Sequence, residues 1–388
     1  MNTETPIADG IHAMVPREQM SAGARKIRDT YAIVPDAPLY HKEFGYYCLE
    51  RWYEQGLDPE ADRSKEFHYD PPGIHDLGQL GWCEAAFMPA FEDKIIEDRG
   101  EHEVIQDFAG RHVLMFKGRR SGFMPEYLDH PVKDMQTWKE NVKWRLDIEA
   151  PGRFDTLDER MATAREQAGK GLMICQGLIG GYMYLRSLIG PEALFYAFYD
   201  IPEVIHDCMQ TWLELADDVI GRHQQHVTLD KIYFAEDICY NHGPLISIDM
   251  MKEFLFPYYQ QVITNVLDRQ IDKERHLYRA VDTDGYGVPV IDAYREAIGM
   301  DVMEPFEVAS NNDVVEIGRQ WPELVMSGGI DKRVLATTPE KIDAMVERIL
   351  PVMRKRGGYI PTCDHGVPEE VSLENYRHYR KRCVELGE

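Results

Sequence analysis

The sequence predicts an α/β fold, a single (β/α)8 TIM barrel with an N-terminal helical and loop extension, and three observations lead to it. From about residue 170 onward, short apolar runs alternate with amphipathic helical patterns, the rhythm of parallel βα units. Each run ends in polar or glycine-rich residues, as strands do where they give way to functional loops. No glycine-rich dinucleotide fingerprint follows an early strand, which disfavours a doubly wound sheet. A chain of 388 residues accommodates one barrel plus an elaboration.

Taken in order, residues 1 to about 80 are polar and rich in aromatics, with turn signals at Tyr69-Asp70-Pro71-Pro72-Gly73. They read as a cap, so the expected division is an extension over 1–100 and a barrel over 101–388. Two β-prone runs, 103–108 and 111–116, flank Ala109-Gly110 and suggest a hairpin. Pro131-Val132-Lys133 leads into a helix through Trp138 and Trp144. The strand candidates that follow are 172–176, 232–235, 276–281, 301–304, 324–327 and 359–362. One helix between them is plainly marked. Thr338 can cap it, Pro339 suits the first helical position, and Ile342, Met345, Val346, Ile349 and Met353 share a face. Arg354, Lys355 and Arg356 suit its C-terminal end, Pro351 is expected to kink the last turn, and Gly357 stops it.

Composition narrows the function classes. Hydrophobic residues make up 44% and charged residues 28%, as in ordinary globular proteins. The net charge of −24 repels phosphate backbones and anionic bilayers, so neither nucleic acid nor membrane is an expected partner. No apolar run approaches a bilayer span and no secretory signal opens the chain. Seven scattered cysteines without a CxxC pair suit a reducing, cytoplasmic setting. Homo-oligomerisation is compatible with all of this.

Barrel enzymes carry their chemistry at strand ends, and the strand ends of this chain are rich in polar groups. Gln176-Gly177-Leu178-Ile179-Gly180-Gly181-Tyr182 allows close backbone approach, with Tyr182 as a pocket wall; Arg186 beyond it reads as a solvated helix charge. Glu236-Asp237-Ile238-Cys239-Tyr240-Asn241-His242 is dense in groups that donate, accept or ligate, and acids at a strand end are costly unless paired or used. Glu236 and Asp237 are the candidate catalytic acids there, with Tyr240, Asn241 and His242 as substrate contacts. Asp282-Thr283-Asp284 places two carboxylates on one face, suited to acid–base work or cation binding, unless Asp284 caps the next helix. Glu304-Pro305-Phe306-Glu307 places two more acids near the same rim, and Ser327-Gly328-Gly329-Ile330-Asp331-Lys332 is a glycine turn suited to ligand approach, with Asp331 also reading as a cap. Cys363-Asp364-His365 closes the series, with His365 as the leading single residue. His206 and Cys208 look like a metal pair, but Cys208 lies on an apolar helix face and the pair is rejected.

Three stretches together resemble the uroporphyrinogen decarboxylase and corrinoid-dependent methyltransferase superfamily. They are Glu236-Asp237 through Asn241-His242-Gly243-Pro244, Ser327-Gly328-Gly329-Ile330-Asp331, and Gly357-Gly358-Tyr359-Ile360-Pro361 through Asp364-His365-Gly366-Val367-Pro368. The resemblance spans about residues 100–388 and implies a TIM barrel. The decarboxylase branch carries an N-terminal arginine motif; Gly118-Arg119-Arg120-Ser121-Gly122 is only a loose echo of it. The coenzyme M type methyltransferases ligate zinc through His-x-Cys and a late cysteine. Here those places hold Asp282-Thr283-Asp284 and Cys363, so Asp282, Asp284, Cys363 and His365 form the implied zinc set.

The function expected from the resemblance is methyl transfer from a small O- or N-methylated compound to or from a corrinoid protein. Glu236, Asp237, Asp284 and His365 would activate the leaving group, with Tyr182, Tyr240, Asn241, His242, Asp282, Glu304 and Asp331 around the substrate. The alternative is a carboxy-lyase of the uroporphyrinogen decarboxylase kind, with Arg119, Arg120 and Arg279 as charge stabilisers.

Overall fold

In the chain order of the computed structural model, which describes residues 15–118 and 125–388, β1 (Ile74–Leu80) is the first strand. An antiparallel sheet follows, made of β2 (Lys94–Arg99), β3 (His102–Gln106), β4 (His112–Phe116) and β5 (Glu126–Asp129). Then come β6 (Met173–Ile179), β7 (Lys231–Ala235), a two-residue ribbon of β8 (Cys239–Tyr240) and β9 (Gly243–Pro244), β10 (Tyr278–Asp282), β11 (Val302–Glu304), β12 (Val325–Ser327) and β13 (Tyr359–Ile360). Seven of these form one parallel sheet in the order β1-β6-β7-β10-β11-β12-β13, with helices between successive members. The architecture is α/β of the TIM-barrel type.

Every residue of β6 and β7 is buried, as expected for parallel strands covered on both faces. The two faces feed separate cores by strict alternation. Met173, Cys175, Tyr233, Ala235, Ala280, Val302, Val325 and Ile360 point inward and pack with Tyr40. The helix Ala22–Tyr31 adds Ile27 and Tyr31 to that inner cluster and closes the amino end, where Tyr31 meets Tyr278 edge-on at 4.9 Å. Ile174, Leu178, Ile232, Phe234 and Val281 point outward against the helical layer.

The expectation of eight strands is met differently. Between the edge strands β1 and β13 runs the segment 39–47, which bonds to both neighbours without forming a regular ladder. On one side Asp70 N–H donates to His41 O (2.9 Å) and Gly73 N–H to the Tyr40 hydroxyl (3.1 Å). On the other, Cys363 N–H donates to Glu43 Oε1 (2.9 Å), and Val367 exchanges backbone bonds with Gly45 and Tyr47. The segment takes the place of an eighth stave through backbone and side-chain bonds to the residues just before β1 and just after β13.

Several expectations shift accordingly. β1 lies inside the stretch assigned to the 1–100 extension, and the 94–129 sheet interrupts the path from β1 to β6. The 103–116 hairpin is present as β3–β4. The helix through Trp138 and Trp144 is broken into a short α segment Met135–Thr137, a π turn Trp138–Val142 and a 3-10 turn Lys143–Leu146. The helix Pro339–Arg356 starts on Pro339 and stops at Gly357 (φ +82°), but Thr338 makes no side-chain capping bond. Gly328, just past β12, sits at φ +112°, where a Cβ would lie 1.8 Å from Pro305 O; only glycine fits this approach. Among the described residues no helix is long and apolar enough to cross a membrane.

Candidate active site

At the carboxyl end of the barrel, loops from four strands bring charged side chains onto one rim. Asp284, two residues past β10, faces His365 from the chain after β13, with Asp284 Oδ2 and His365 Nε2 3.7 Å apart. Tyr47 stacks on the His365 ring at 5.8 Å, its hydroxyl 3.5 Å from Nδ1, while Phe44 packs against the same ring at 5.2 Å. Asp237, after β7, accepts a hydrogen bond from Arg186 (2.5 Å). Glu307, after β11, accepts from Gly285 N–H and from Lys332 Nζ, both at 2.9 Å. Lys332 also lies 3.9 Å from Asp364, whose oxygens accept from the backbone N–H groups of Val308 and Lys332.

Four acids, Asp237, Asp284, Glu307 and Asp364, around two cations leave the rim short of positive charge. Burial, and then repulsion from Asp237 and Glu307, push the Asp284 carboxyl up to about 7 against the pull of Lys332 and Arg186. Burial also raises Asp237, although Arg186 opposes it. His365 is held below its ordinary value by burial and by Lys332, against Glu307 and Asp237. Near neutral pH the rim thus holds a carboxyl poised between its two states beside a neutral imidazole. Such a pair can donate and take up a proton.

Asp237, Asp284 and His365, remote in sequence, therefore meet. Other residues expected at the site do not join them. Glu236 is fully buried and turned into the wall, accepting from Tyr182 N–H (2.8 Å) and the Tyr259 hydroxyl (2.5 Å). Tyr182 is core, with no exposed surface. Asp282 points into the lumen and accepts the Tyr233 hydroxyl (2.5 Å); burial and Glu304 push it well above the carboxylate range. Glu304 is also in the lumen, where Lys42 (3.8 Å) and Lys231 overcome burial and hold it ionised. Asn241 accepts from Ser310 (3.1 Å), and Tyr240 and His242 meet edge-on on the exposed ribbon turn. Asp331 is occupied as a cap, accepting from Arg333 N–H (2.9 Å) and its guanidinium.

The zinc set is corrected. Cys363 is fully buried in the outer core and Asp282 is engaged by Tyr233, so Asp282, Asp284, Cys363 and His365 do not converge. Among the described residues no three His, Cys, Asp or Glu are grouped to hold a metal ion. Arg279 pairs with Asp301 (3.2 Å) near the amino end of β10, away from the rim. Arg119 and Arg120 lie outside the described residues. Sequence reading missed Tyr47 and Phe44 as rim residues and gave Lys332 no role, whereas Glu307 lies at the rim as expected. It placed Arg186 in solvent, whereas Arg186 pairs with Asp237.

Toward β1 and the segment 39–47 the lumen holds a cavity of about 530 Å³, bounded in part by Lys42, Lys231, Glu304, Tyr233, Asp76 and Trp82 and not by the rim residues themselves. The Trp82 and Tyr233 rings are parallel within 4°, with centroids 6.0 Å apart.

Comparison with known proteins adds three findings. The family model described as Uroporphyrinogen decarboxylase (URO-D) matches residues 118–386. No curated protein matches the sequence. Among solved structures, a methyltransferase from Methanosarcina mazei is similar over 94% of this chain and 98% of that one, at 13% identity and a TM-score of 0.57, a likeness of fold. A putative vitamin-B12 independent methionine synthase from Listeria monocytogenes is a more distant match, with 13% identity, 60% and 69% coverage and a TM-score of 0.33.

Proposed function

The chain belongs to the uroporphyrinogen decarboxylase (URO-D) family, and from that premise we propose that it transfers a methyl group from a small O- or N-methylated compound to, or from, a corrinoid protein. The observation that carries this reading is the meeting of Asp284, protonated in part near pH 7, with His365 and Asp237 on one rim. An ether or amine is a poor leaving group unless its heteroatom gains a proton or a Lewis acid as the carbon departs.

In the forward direction the carbon–heteroatom bond breaks and its electron pair stays on the heteroatom. The Asp284 carboxyl supplies the proton that neutralises it, and the methyl group bonds to a nucleophilic acceptor docked over the mouth. After product leaves, Asp284 regains its proton from solvent, and the neutral His365 ring 3.7 Å away adds no positive charge that would hold the carboxylate ionised. Arg186 and Lys332 hold Asp237 and Glu307 in position and limit how far Asp284 rises. The acceptor is a corrinoid carried by a separate protein. The likeness to a methyltransferase fold over nearly the whole chain supports this reading. No step is routed through zinc, because the four residues implied for it do not assemble.

The lyase alternative needs a free cation at the reacting carboxylate, beside the proton donor; at the rim Arg186 and Lys332 are engaged by Asp237 and Glu307, and Arg279 pairs with Asp301 near the amino end of β10. One assay separates the two classes. The protein is incubated with cob(I)alamin and a panel of O- and N-methylated donors, and methylcobalamin is followed by absorbance. Methylcobalamin should form with the wild type and about 10²-fold or more slowly with Asp284→Asn. Carbon dioxide release from a carboxylated substrate without acceptor methylation would overturn the proposal in favour of the lyase.

A further inference from the structure

The lumen below the rim is not a neutral barrel core. Lys231, the first residue of β7, is 6% exposed and faces the 530 Å³ cavity, its ammonium between the rings of Tyr31 (5.7 Å) and Tyr233 (5.0 Å). Lys42 enters from the stave-like segment and meets Glu304 at 3.8 Å. Glu304 is the carboxylate that both lysines draw on. The other acids of the lumen are differently engaged. Asp282 carries the Tyr233 hydroxyl and is pushed toward its neutral form. Glu43 accepts from Tyr376 and Cys363, and burial raises it as well. Asp70 binds Lys26 (3.1 Å), and Asp76 accepts from Gly78 N–H (2.7 Å).

Lys231 has the Tyr31 hydroxyl as a neutral partner and shares Glu304 with Lys42, which leaves two ammonium groups to one ionised acid, an imbalance that a further anion would offset. The cavity beside it has room for a small organic molecule, and Tyr233 and Trp82 offer flat apolar walls.

We propose that the lumen seats a carboxylate, so that the donor is a small methylated organic acid. Its carboxylate bridges Lys231 and Lys42, its body lies along Tyr233 and Trp82, and its methylated heteroatom points along β10 toward Asp284. The orientation rests on the methyl-transfer reading; the carboxylate site does not. Recognition of this kind reconciles an acid rim with an anionic substrate. The negative charge sits deep between two lysines, and the departing heteroatom alone faces Asp284.

Calorimetric titration of the whole protein, with no acceptor present, tests this. The probes are 4-methoxybenzoate and methoxyacetate, each against its amide, which keeps the shape and removes the charge. At least one acid should bind on the order of tenfold or more tighter than its amide. That preference should collapse in Lys231→Met and weaken in Lys42→Met. The second variant is decisive if the first does not fold, because Lys42 is partly exposed. Equal binding of acid and amide, binding of neither acid at millimolar concentration, or a preference that survives in the folded lysine variants would overturn the proposal. Failure of methyl transfer in the cob(I)alamin assay would leave this ratio untouched, so the two readings fall separately.

Discussion

Glu236 offers a perturbation whose outcome is fixed by burial alone. Its carboxyl has no exposed surface, and both oxygens are engaged, by Tyr182 N–H and the Tyr259 hydroxyl. A Cβ on Gly180 would lie 2.5 Å from Oε2, so the packing around it is tight. Burial, the largest cause, pushes its pKa from 4.5 to about 7 despite those hydrogen bonds. The folded value is raised above the unfolded one. The associated stability is therefore fully present below about pH 4.5 and lost as pH climbs through about 7. Integrated between pH 5 and pH 8, the loss is about 2–3 kcal/mol.

Glu236→Gln removes the titration while keeping the size. It also disturbs the bond from Tyr259, but that cost does not vary with pH. The stability of the variant relative to wild type should thus improve by about 2–3 kcal/mol between pH 5 and pH 8, whatever the offset. Urea denaturation at the two pH values, followed by circular dichroism, reads this double difference. A difference that stays constant with pH would refute the reasoning. Turnover should survive the substitution, because the side chain faces the wall; its loss in a stably folded variant would restore the catalytic role expected from sequence.

Further outcomes follow from the rim. Asp284→Asn should lower methyl transfer by about 10²-fold or more. The wild-type rate should fall as pH rises through about 7, where the proton donor is lost, and the residual rate of the variant should not. Lys332→Met removes a cation that lowers Asp284, so the alkaline limb of the pH–rate profile should move to higher pH. It also leaves Glu307 and Asp364 without their ammonium, at a cost of about 1–3 kcal/mol in denaturant unfolding. Gly328→Ala forces a Cβ onto Pro305 O at positive φ and should destabilise by about 2–4 kcal/mol; an unchanged melting temperature would show that the β12 turn differs.

The barrel was legible wherever strands are buried on both faces. The six runs from 172 to 362 stand out because parallel strands read as continuous apolar stretches, and each coincides with a strand of the sheet. β1 was not legible. Its sequence, Ile-His-Asp-Leu-Gly-Gln-Leu, sends Asp76 and Gln79 into a polar lumen, so it shows no apolar run. β2 and β5 are exposed or half-exposed and equally silent. The segment 39–47 holds its place by side-chain bonds to residues some 30 and 320 positions away, which no local pattern reports.

At the site, Asp237, Asp284 and His365 were legible as polar residues directly after buried strands. Glu236, Asp282 and Cys363 looked equivalent in sequence. They separate only by which way the chain turns at each end, where Asp237 takes φ +46° and flips the pair Glu236-Asp237. Lys42, Tyr47 and Phe44 come from a segment with no strand signature, so their place beside the lumen and rim required the fold itself.

Asp284 and its proton are the centre of the account. The most direct measurement is the carbon-13 chemical shift of its side-chain carboxyl, assigned by difference against Asp284→Asn and followed from acid to alkaline pH. A midpoint near 7 is the predicted result. A midpoint near 4, the ordinary value of a solvated aspartate, would remove the proton donor from the rim and contradict the proposed chemistry.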